Sequence, residues 1–403
     1  MQRTGGRSGN RRSDVPNGFD PDGSLLSFFI PDLSVGGAEQ VTVTIVNGLA
    51  SRGYTIDLLL SRFEGELRDR LSNDVNVVTL PPARTSVFGV AAHFPAIASY
   101  LRRTEPDVLI PHLEHPSIVC LAVSRLFHVD TPIVPTQHSA FGESTDRTPK
   151  DRIVQGLVPR LYPAADRIVA VSQGVADGVS ERTSVRREDI SVLHNPVEID
   201  SVRERAREPV DHEWIEDDDL EVVLFVGRLA DQKDLETWLR AFETVHDRNP
   251  NTRGVIVGKG PRREALAAFV EQLGLEDAVS MPGFVENPYR YMGQASAFVL
   301  SSRYEGLPTV LIEALACGCP VASTDCPSGP REILLDGSLG PLVPVGEADE
   351  LAEATLETLS NPVSTDALRA RAEDFAPEAV FDEYERFIHE HVLRDEATQP
   401  RPT

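Results

Sequence analysis

Residues 221–229 read Glu-Val-Val-Leu-Phe-Val-Gly-Arg-Leu and give the clearest indication of the fold. The apolar run 222–226 is typical of a strand buried on both faces of a parallel sheet. A glycine and an arginine follow directly, so a turn and a cation come at the carboxyl end of the strand. Open α/β sheets bind their ligands at that end. The stretch therefore predicts an α/β domain with a ligand site just after this strand.

Short apolar runs alternate with amphipathic segments on both sides of this stretch. Strands are predicted at residues 25–30, 55–60, 75–80, 108–110, 133–136, 167–171, 254–257, 278–281, 297–300, 321–323 and 341–343. Helical patterns lie between most of these strands, and this alternation is typical of a parallel sheet covered by helices. The predicted fold class is α/β, with two doubly wound, Rossmann-like domains that face each other across a cleft.

Changes in composition predict how the chain divides. Residues 201–219 carry many Glu, Arg and Asp residues and few apolar ones, which favours a linker between the two domains. The predicted segments are a disordered tail (1–23), a first domain (24–200), the linker (201–219), a second domain (220–375), a helix able to pack back on the first domain (376–392) and a frayed tail (393–403).

The charge balance narrows the function classes. The chain of 403 residues has 63 acidic and 39 basic residues, a net charge of -24, and its lysines are Lys150, Lys233 and Lys259 alone. Such a surface is typical of a protein from a high-salt cytoplasm, because salt screens the self-repulsion. An acidic protein from an ordinary cell is the alternative. Binding to nucleic acid is not expected, because phosphates require a basic face.

Cysteines and hydropathy predict a cytoplasmic protein. The four cysteines (Cys120, Cys317, Cys319, Cys326) lack the paired spacing of a zinc site, so reduced, buried thiols and no metal are expected. His112 and His115 have no obvious third ligand and are interpreted as structural. No apolar stretch approaches the length of a membrane span. The arginines of residues 1–23 leave open a weak peripheral contact with the inner face of the membrane.

The sharpest local motif is Glu305-Gly-Leu-Pro-Thr-Val-Leu-Ile-Glu313, which follows a predicted strand and opens a helix. Gly306 and Pro308 suit the start of a helix, whose free N–H groups form an anion site. Glu313 lies inside an apolar helix and needs a partner, which the paired hydroxyls of a ribose would supply. The alternative is an ordinary acidic helix start stabilised by the helix dipole.

Cations follow two strands of the predicted second domain. Arg228 and Lys233 come after the strand 222–226 and would suit a phosphate, although a solvated loop is the alternative. Lys259 lies in the turn Val-Gly-Lys-Gly-Pro of residues 257–261, a weaker motif that includes Gly258.

The first domain offers two candidate segments. Gly36 and Gly37 follow the first strand and would allow close approach of phosphate or sugar, but their spacing is not the dinucleotide fingerprint, which argues against an NAD enzyme. His138 also follows a strand and is a candidate cleft residue, with a structural histidine as the alternative.

These motifs and their order along the chain resemble those of the retaining GT-B glycosyltransferases of family 4. The resemblance covers about residues 24–392. The resemblance also includes residues 170–174, 194–197 and 283–285, and residues 326–333 look like a variant found in enzymes that build lipid-linked or surface glycans. The charge pattern indicates a haloarchaeal member.

The resemblance implies roles for individual residues. His138, Glu305, Arg228 and Lys233 would be catalytic, with His138 beside the reacting sugar. Arg228 and Lys233 would hold the donor diphosphate, Glu313 the ribose and Glu305 the sugar. The full implied donor site comprises Gly36, Gly37, Gly227, Arg228, Lys233, Gly258, Lys259, Val285 at the base, Glu305, Gly306, Leu307, Pro308, Thr309 and Glu313.

The implied activity is transfer of a hexose from a UDP- or GDP-linked sugar to a glycan or polyprenyl-phosphate-linked acceptor bound mainly by the first domain. Retention of the anomeric configuration is expected, with no cofactor and no metal. The Asp-x-Asp spacing at residues 217–219 falls in the predicted linker and precedes a strand. A sugar-nucleotide epimerase, a glycan phosphorylase and a non-catalytic nucleotide-sugar binding protein are the alternatives.

Overall fold

The computed structural model of the protein describes residues 23–34, 36–81, 93–140 and 149–393. The predicted tails therefore lie outside the described residues, apart from Gly23 and Leu393.

The first domain contains two parallel sheets that lie side by side. One has the order β3-β2-β1-β4 and the other β5-β6-β7, and bridges from Leu109 to Ile133 and from His112 to Thr136 connect them. The strands are β1 (Leu25–Ile30), β2 (Thr55–Leu60), β3 (Val75–Thr79), β4 (Val108–Pro111), β5 (Thr136–Gln137), β6 (Ile168–Ala170) and β7 (Ile190–Val192). The helices are α1 (Gly37–Ser51), α2 (His93–Thr104), α3 (Glu114–Phe127), α4 (Pro149–Leu161) and α5 (Gln173–Arg182).

The second domain repeats this strand order in one six-stranded parallel sheet, β10-β9-β8-β11-β12-β13. Its strands are β8 (Glu221–Val226), β9 (Thr252–Val257), β10 (Val279–Gly283), β11 (Ala297–Leu300), β12 (Val321–Thr324) and β13 (Leu342–Val343). The helices are α6 (Ile199–Ala206), α7 (Leu235–Arg248), α8 (Arg263–Leu273), α9 (Tyr289–Met292), α10 (Thr309–Cys317), α11 (Pro330–Ile333), α12 (Ala348–Ser360) and α13 (Thr365–Ala372).

The apolar runs became buried strands because their side chains are covered on both faces. Every residue of 222–226 is buried, and the α1 stripe of Val41, Ile45 and Leu49 packs into the core of the first domain. The prediction of an α/β fold with two Rossmann-like domains is confirmed. In the sheets that contain β1 and β8, the strand order reverses beside that strand, between β1 and β4 and between β8 and β11. Ligands bind at such switch points.

The predicted linker is more ordered than its composition indicates. Helix α6 occupies its first residues, and the side chains of Ile199, Val202 and Val210 are buried. A short amphipathic stretch was therefore sufficient for a helix because it packs against the second domain. The exact domain boundaries stay predictions.

The last helix, α14 (Pro377–His391), packs on the first domain. Its apolar stripe is buried in the same cluster as β1 and α1. Arg52, which directly follows α1, forms ion pairs with Glu378, Asp382 and Glu385 at 2.5, 2.7 and 2.6 Å. The N–H of Val197 donates to the carbonyl of Phe375 at 2.9 Å, so the two segments that connect the domains lie side by side.

All four cysteines are buried and form no disulfide. Within the described ranges, no helix combines the length and the apolar character needed to cross a membrane.

Candidate active site

Half-buried Lys233 and buried Glu305 form an ion pair at the switch point of the second domain. Lys233 ends a short turn after β8, Glu305 lies between β11 and α10, and Nζ is 2.5 Å from Oε1. The carboxylate also accepts hydrogen bonds from Ser302 Oγ at 2.6 Å and Gln232 Nε2 at 3.3 Å. These partners offset the cost of burying two charges. Two residues predicted to bind different parts of the donor therefore contact each other directly.

Arg228 and Lys259 lie on two loops that pack tightly together. Gly258 has a φ of 145°, and a Cβ there would lie 1.8 Å from the carbonyl oxygen of Gly227, so only glycine fits. The N–H of Leu229 donates to the carbonyl of Lys259 at 3.0 Å. Arg228 is exposed and makes no ion pair with any described residue. Its guanidinium is therefore available to an anion.

The predicted nucleobase border lies next to Lys259. The ammonium of Lys259 stands 4.8 Å from the ring centre of Phe284, which is 64% exposed and precedes Val285. An exposed ring with a cation over one face is suited to a flat ligand on the other.

The start of α10 is pressed against the first domain. A Cβ on Gly306 would lie 1.9 Å from the carbonyl oxygen of His138, and Ser172 Oγ donates to the carbonyl of Gly306 at 2.8 Å. Pro308, which precedes α10, also packs closely against Gly329, where a Cβ would lie 2.3 Å from its Cδ. Leu307 and Pro308 are buried, and Thr309 begins the helix. The two domains therefore bring His138 and Glu305 to one place.

A second interdomain contact is formed by His194, which follows β7. His194 Nε2 is 2.8 Å from Glu332 on α11, and its Nδ1 is 3.4 Å from Glu383 on α14. Burial lowers the pKa of His194, but its hydrogen bonds to both carboxylates outweigh burial and raise it to about 9. A charged His194 thus links the two domains at neutral pH.

His138 contacts a histidine to which the sequence assigned only a structural role. His138 Nε2 lies 3.0 Å from His112 Nδ1, and His112 is fully buried. Burial lowers the pKa of His138 to about 4. Burial and the neighbouring His138 hold the pKa of His112 well below its ordinary value. The sequence contained one indication that His112 lies near the site, because His112 also directly follows a strand, β4.

Glu313 is a half-buried carboxylate to which no described residue donates a hydrogen bond. Burial raises its pKa to about 7, although Arg205 acts in the opposite direction. Arg205 belongs to the stretch predicted as linker, so the sequence did not place it near the site.

We expect donor binding to depend on the charge of Glu313. Below pH 7 the free carboxyl is protonated, whereas ribose hydroxyls that donate to it favour the charged form. The donor KM should therefore rise as pH falls below about 7, by up to about tenfold per pH unit. Glu313→Gln should raise KM at pH 8, leave kcat nearly unchanged and abolish this pH dependence. A donor KM that stays constant from pH 6 to 8 in the unmodified protein would contradict the ribose assignment.

Gly36 and Gly37 differ in their surroundings. Gly36 precedes α1, and a Cβ there would lie 2.2 Å from the carboxylate of Glu39, whereas the space around Gly37 is open. Burial raises the pKa of Glu39, a backbone hydrogen bond lowers it and Asp32 raises it again. The Glu39 carboxylate thus lies at the start of α1, where a phosphate would have to compete with it.

No group of three or more His, Cys, Asp or Glu side chains that could hold a metal ion occurs among the described residues. Metal independence stays a prediction.

Comparison with known proteins identifies the family. Residues 35–201 match the model described as Glycosyltransferase Family 4, and residues 207–378 match Glycosyl transferases group 1. The chain is 30% identical to the GalNAc-alpha-(1->4)-GalNAc-alpha-(1->3)-diNAcBac-PP-undecaprenol alpha-1,4-N-acetyl-D-galactosaminyltransferase of Campylobacter jejuni, over 91% of this chain and 98% of the relative. A second Campylobacter jejuni enzyme, N-acetylgalactosamine-N,N'-diacetylbacillosaminyl-diphospho-undecaprenol 4-alpha-N-acetylgalactosaminyltransferase, is 27% identical over 86% and 93% of the two chains.

Solved structures show the same fold. The lipopolysaccharide outer core galactosyltransferase WaaB superposes with a TM-score of 0.72 at 22% identity, over 91% of this chain and 99% of that one. HepE of Anabaena in complex with UDP-glucose gives 0.73 at 18% identity, with the same coverage. The chain belongs to the GT-B glycosyltransferases of family 4.

Proposed function

We propose that the protein transfers a hexose from a UDP- or GDP-linked donor to a glycan or polyprenyl-phosphate-linked acceptor, with retention and without a metal. The observation that carries this proposal is the meeting of Lys233, Glu305 and the start of α10 with His138 of the other domain. The named activities of the Campylobacter relatives support a lipid-linked acceptor, and the UDP-glucose complex of HepE supports a nucleotide-sugar donor.

The proposed chemistry follows from the charges at the site. The bond between the anomeric carbon and the diphosphate oxygen breaks, and the acceptor oxygen bonds to the carbon on the same face. The acceptor proton passes to a phosphate oxygen. Arg228, Lys233 and the N–H groups at the start of α10 stabilise the departing diphosphate, and Glu305 faces the positive charge that develops on the sugar ring.

The test uses the full chain in molar salt with UDP- and GDP-sugars and polyprenyl-phosphate glycans. We expect a product only with an acceptor present, an unchanged anomeric configuration by NMR and full turnover in EDTA. Conversion of the donor without an acceptor would indicate an epimerase, and dependence on free phosphate a phosphorylase. Saturable binding with no turnover across the panel would overturn the enzyme assignment.

We further propose that the protein works at the cytoplasmic face of the membrane as a peripheral protein. The tail on which this prediction rested lies outside the described residues, but the first domain exposes Leu126 on α3 and Ile153 and Leu157 one turn apart on α4. Arg125 beside Leu126 donates to the carbonyl of Arg160 at 3.3 Å, so cations and apolar side chains share this region. Flotation of the full chain with vesicles in molar salt is expected, because apolar contacts are not screened by salt. Absence of flotation would contradict the proposal.

We also propose that the protein is halophilic and of haloarchaeal origin. At a net charge of -24, self-repulsion destabilises the compact state in dilute buffer, and salt screens it over a Debye length that falls from about 10 Å at 0.1 M to 3 Å at 1 M. The midpoint of thermal unfolding should therefore rise with NaCl. KCl at the same ionic strength screens charge equally and should raise the midpoint by a similar amount. A midpoint that is flat or falls with NaCl would contradict this proposal.

A further inference from the structure

Three polar side chains, Thr42, His112 and His138, form a row in the first domain. Thr42 Oγ1 on α1 lies 2.9 Å from His112 Nδ1, and His112 Nδ1 lies 3.0 Å from His138 Nε2. Thr42 and His112 are both fully buried, and the two imidazole rings lie 4.9 Å apart between centres. The row therefore runs from the interior of the first domain to the residue that touches the second.

The hydrogens available along this row determine which atom donates and which accepts in each contact. Thr42 has one hydroxyl hydrogen and donates it to the carbonyl of Ala38 at 2.7 Å. Its oxygen then presents a lone pair to His112 Nδ1, which must carry a hydrogen for an attractive contact. That hydrogen also faces His138 Nε2. One N–H can be shared between two acceptors, whereas one nitrogen lone pair does not accept from two donors.

The other nitrogen of His112 agrees with this assignment. His112 Nε2 is buried and has no hydrogen-bond partner among the described residues. With the hydrogen on Nδ1, this atom is a bare acceptor, which costs less to leave unpaired than a buried N–H. A neutral ring also fits its burial, because a charged imidazolium here would have an unpaired donor.

We propose that His112 is a positioning residue that holds His138 as the Nδ1–H tautomer, so that His138 meets the donor sugar as a hydrogen-bond donor and not as a base. His138 Nε2 accepts from His112, and Nδ1 is the ring nitrogen left for a ligand. Neutral His138 then donates to an oxygen of the sugar. The inference rests on the proposed function, because it takes the sugar to lie beside His138.

The first test needs no variant. Nitrogen-15 NMR of the histidine-labelled full chain distinguishes the two neutral tautomers, with His138→Gln used for assignment. We expect the His138 signals of a ring protonated on Nδ1 at pH 7.5. Signals of the Nε2–H tautomer would overturn the inference whatever the transfer assay shows. Absence of transferase activity with the Nδ1–H signals present would instead count against the proposed function.

The second test separates positioning from packing. His112→Leu removes the donor and should lower kcat at least about tenfold with little change in donor KM, and it should release the His138 tautomer. His112→Asn can place an amide N–H near the former Nδ1 and should recover most of kcat and the Nδ1–H signals. His93→Leu, at another buried histidine of the first domain, is the matched control and should change neither. Equal losses of kcat in His112→Leu and His112→Asn, with the His138 tautomer unchanged in both, would contradict the proposal.

Discussion

Lys233→Ala is expected to lower kcat by about a hundredfold or more. The ammonium contacts Glu305 in the proposed site, and groups that stabilise a charge developing in the transition state contribute about this much. The variant also leaves Glu305 buried without its cation, which adds to the loss. The measurement is steady-state kinetics with one donor and one acceptor, with folding checked by thermal unfolding.

Matched variants make this result interpretable. Arg248→Ala removes a cation from an exposed pair with Glu353 and should leave kinetics unchanged. Glu305→Gln keeps the size of the side chain and should also act mainly on kcat, in contrast to Glu313→Gln. Lys233 and Glu305 contact each other, so their effects are not independent. The fold-loss of kcat in the double variant Lys233→Ala/Glu305→Gln should therefore be much smaller than the product of the two single fold-losses. Activity within a few-fold of the unmodified protein for Lys233→Ala would remove the basis of the proposed site.

Gly306→Ala is expected to reduce kcat/KM by about a hundredfold, similar to the loss of kcat expected for Lys233→Ala. The added methyl would lie 1.9 Å from the carbonyl oxygen of His138 and 3.2 Å from Cα of Ser139, and backbone atoms cannot move aside as a flexible side chain does. The domains must therefore separate where His138 and Glu305 meet, and shifts of about 1 Å at a reacting centre are costly. Kinetics and thermal unfolding together measure the effect.

The control for this substitution is Gly178→Ala. Gly178 lies inside α5 with nothing within 4 Å of the added methyl, and alanine favours a helix over glycine by about 1 kcal/mol. This variant should keep full activity and gain slightly in stability. If Gly306→Ala were as active as Gly178→Ala, the domains would not need the observed contact for catalysis.

The fold could be predicted from the sequence because buried parallel strands carry unmistakable apolar runs. Strand β8 begins one residue before the run 222–226 and ends with it. Strand β7 at Ile190–Val192 was not predicted at all. Strand β5 was expected at residues 133–136 and found at Thr136–Gln137. Pro132 and Pro135 lack the N–H that a regular ladder requires, so Ile133 forms only an isolated bridge.

The site could be predicted only in part, because its key contacts join distant residues. The motifs identified Lys233 and Glu305 separately, but their ion pair depends on β8 and β11 being neighbours. His112 was compared with His115 in the same segment, whereas its partner follows another strand. Arg205 was assigned to a linker for its charged surroundings and acts on Glu313 only after α6 folds. Spacing along the chain contains none of this information.

Helix α14 also sets the order in which the protein can fold during synthesis. The core around β1 and α1 includes Val380, Tyr384 and Ile388, which are translated only after the whole second domain. The first domain therefore cannot complete its interior until the second domain has been translated. The sheet from β8 to β13 is one uninterrupted stretch of chain and can close earlier. During that interval, the nascent first half has an uncovered apolar surface that chaperones would recognise.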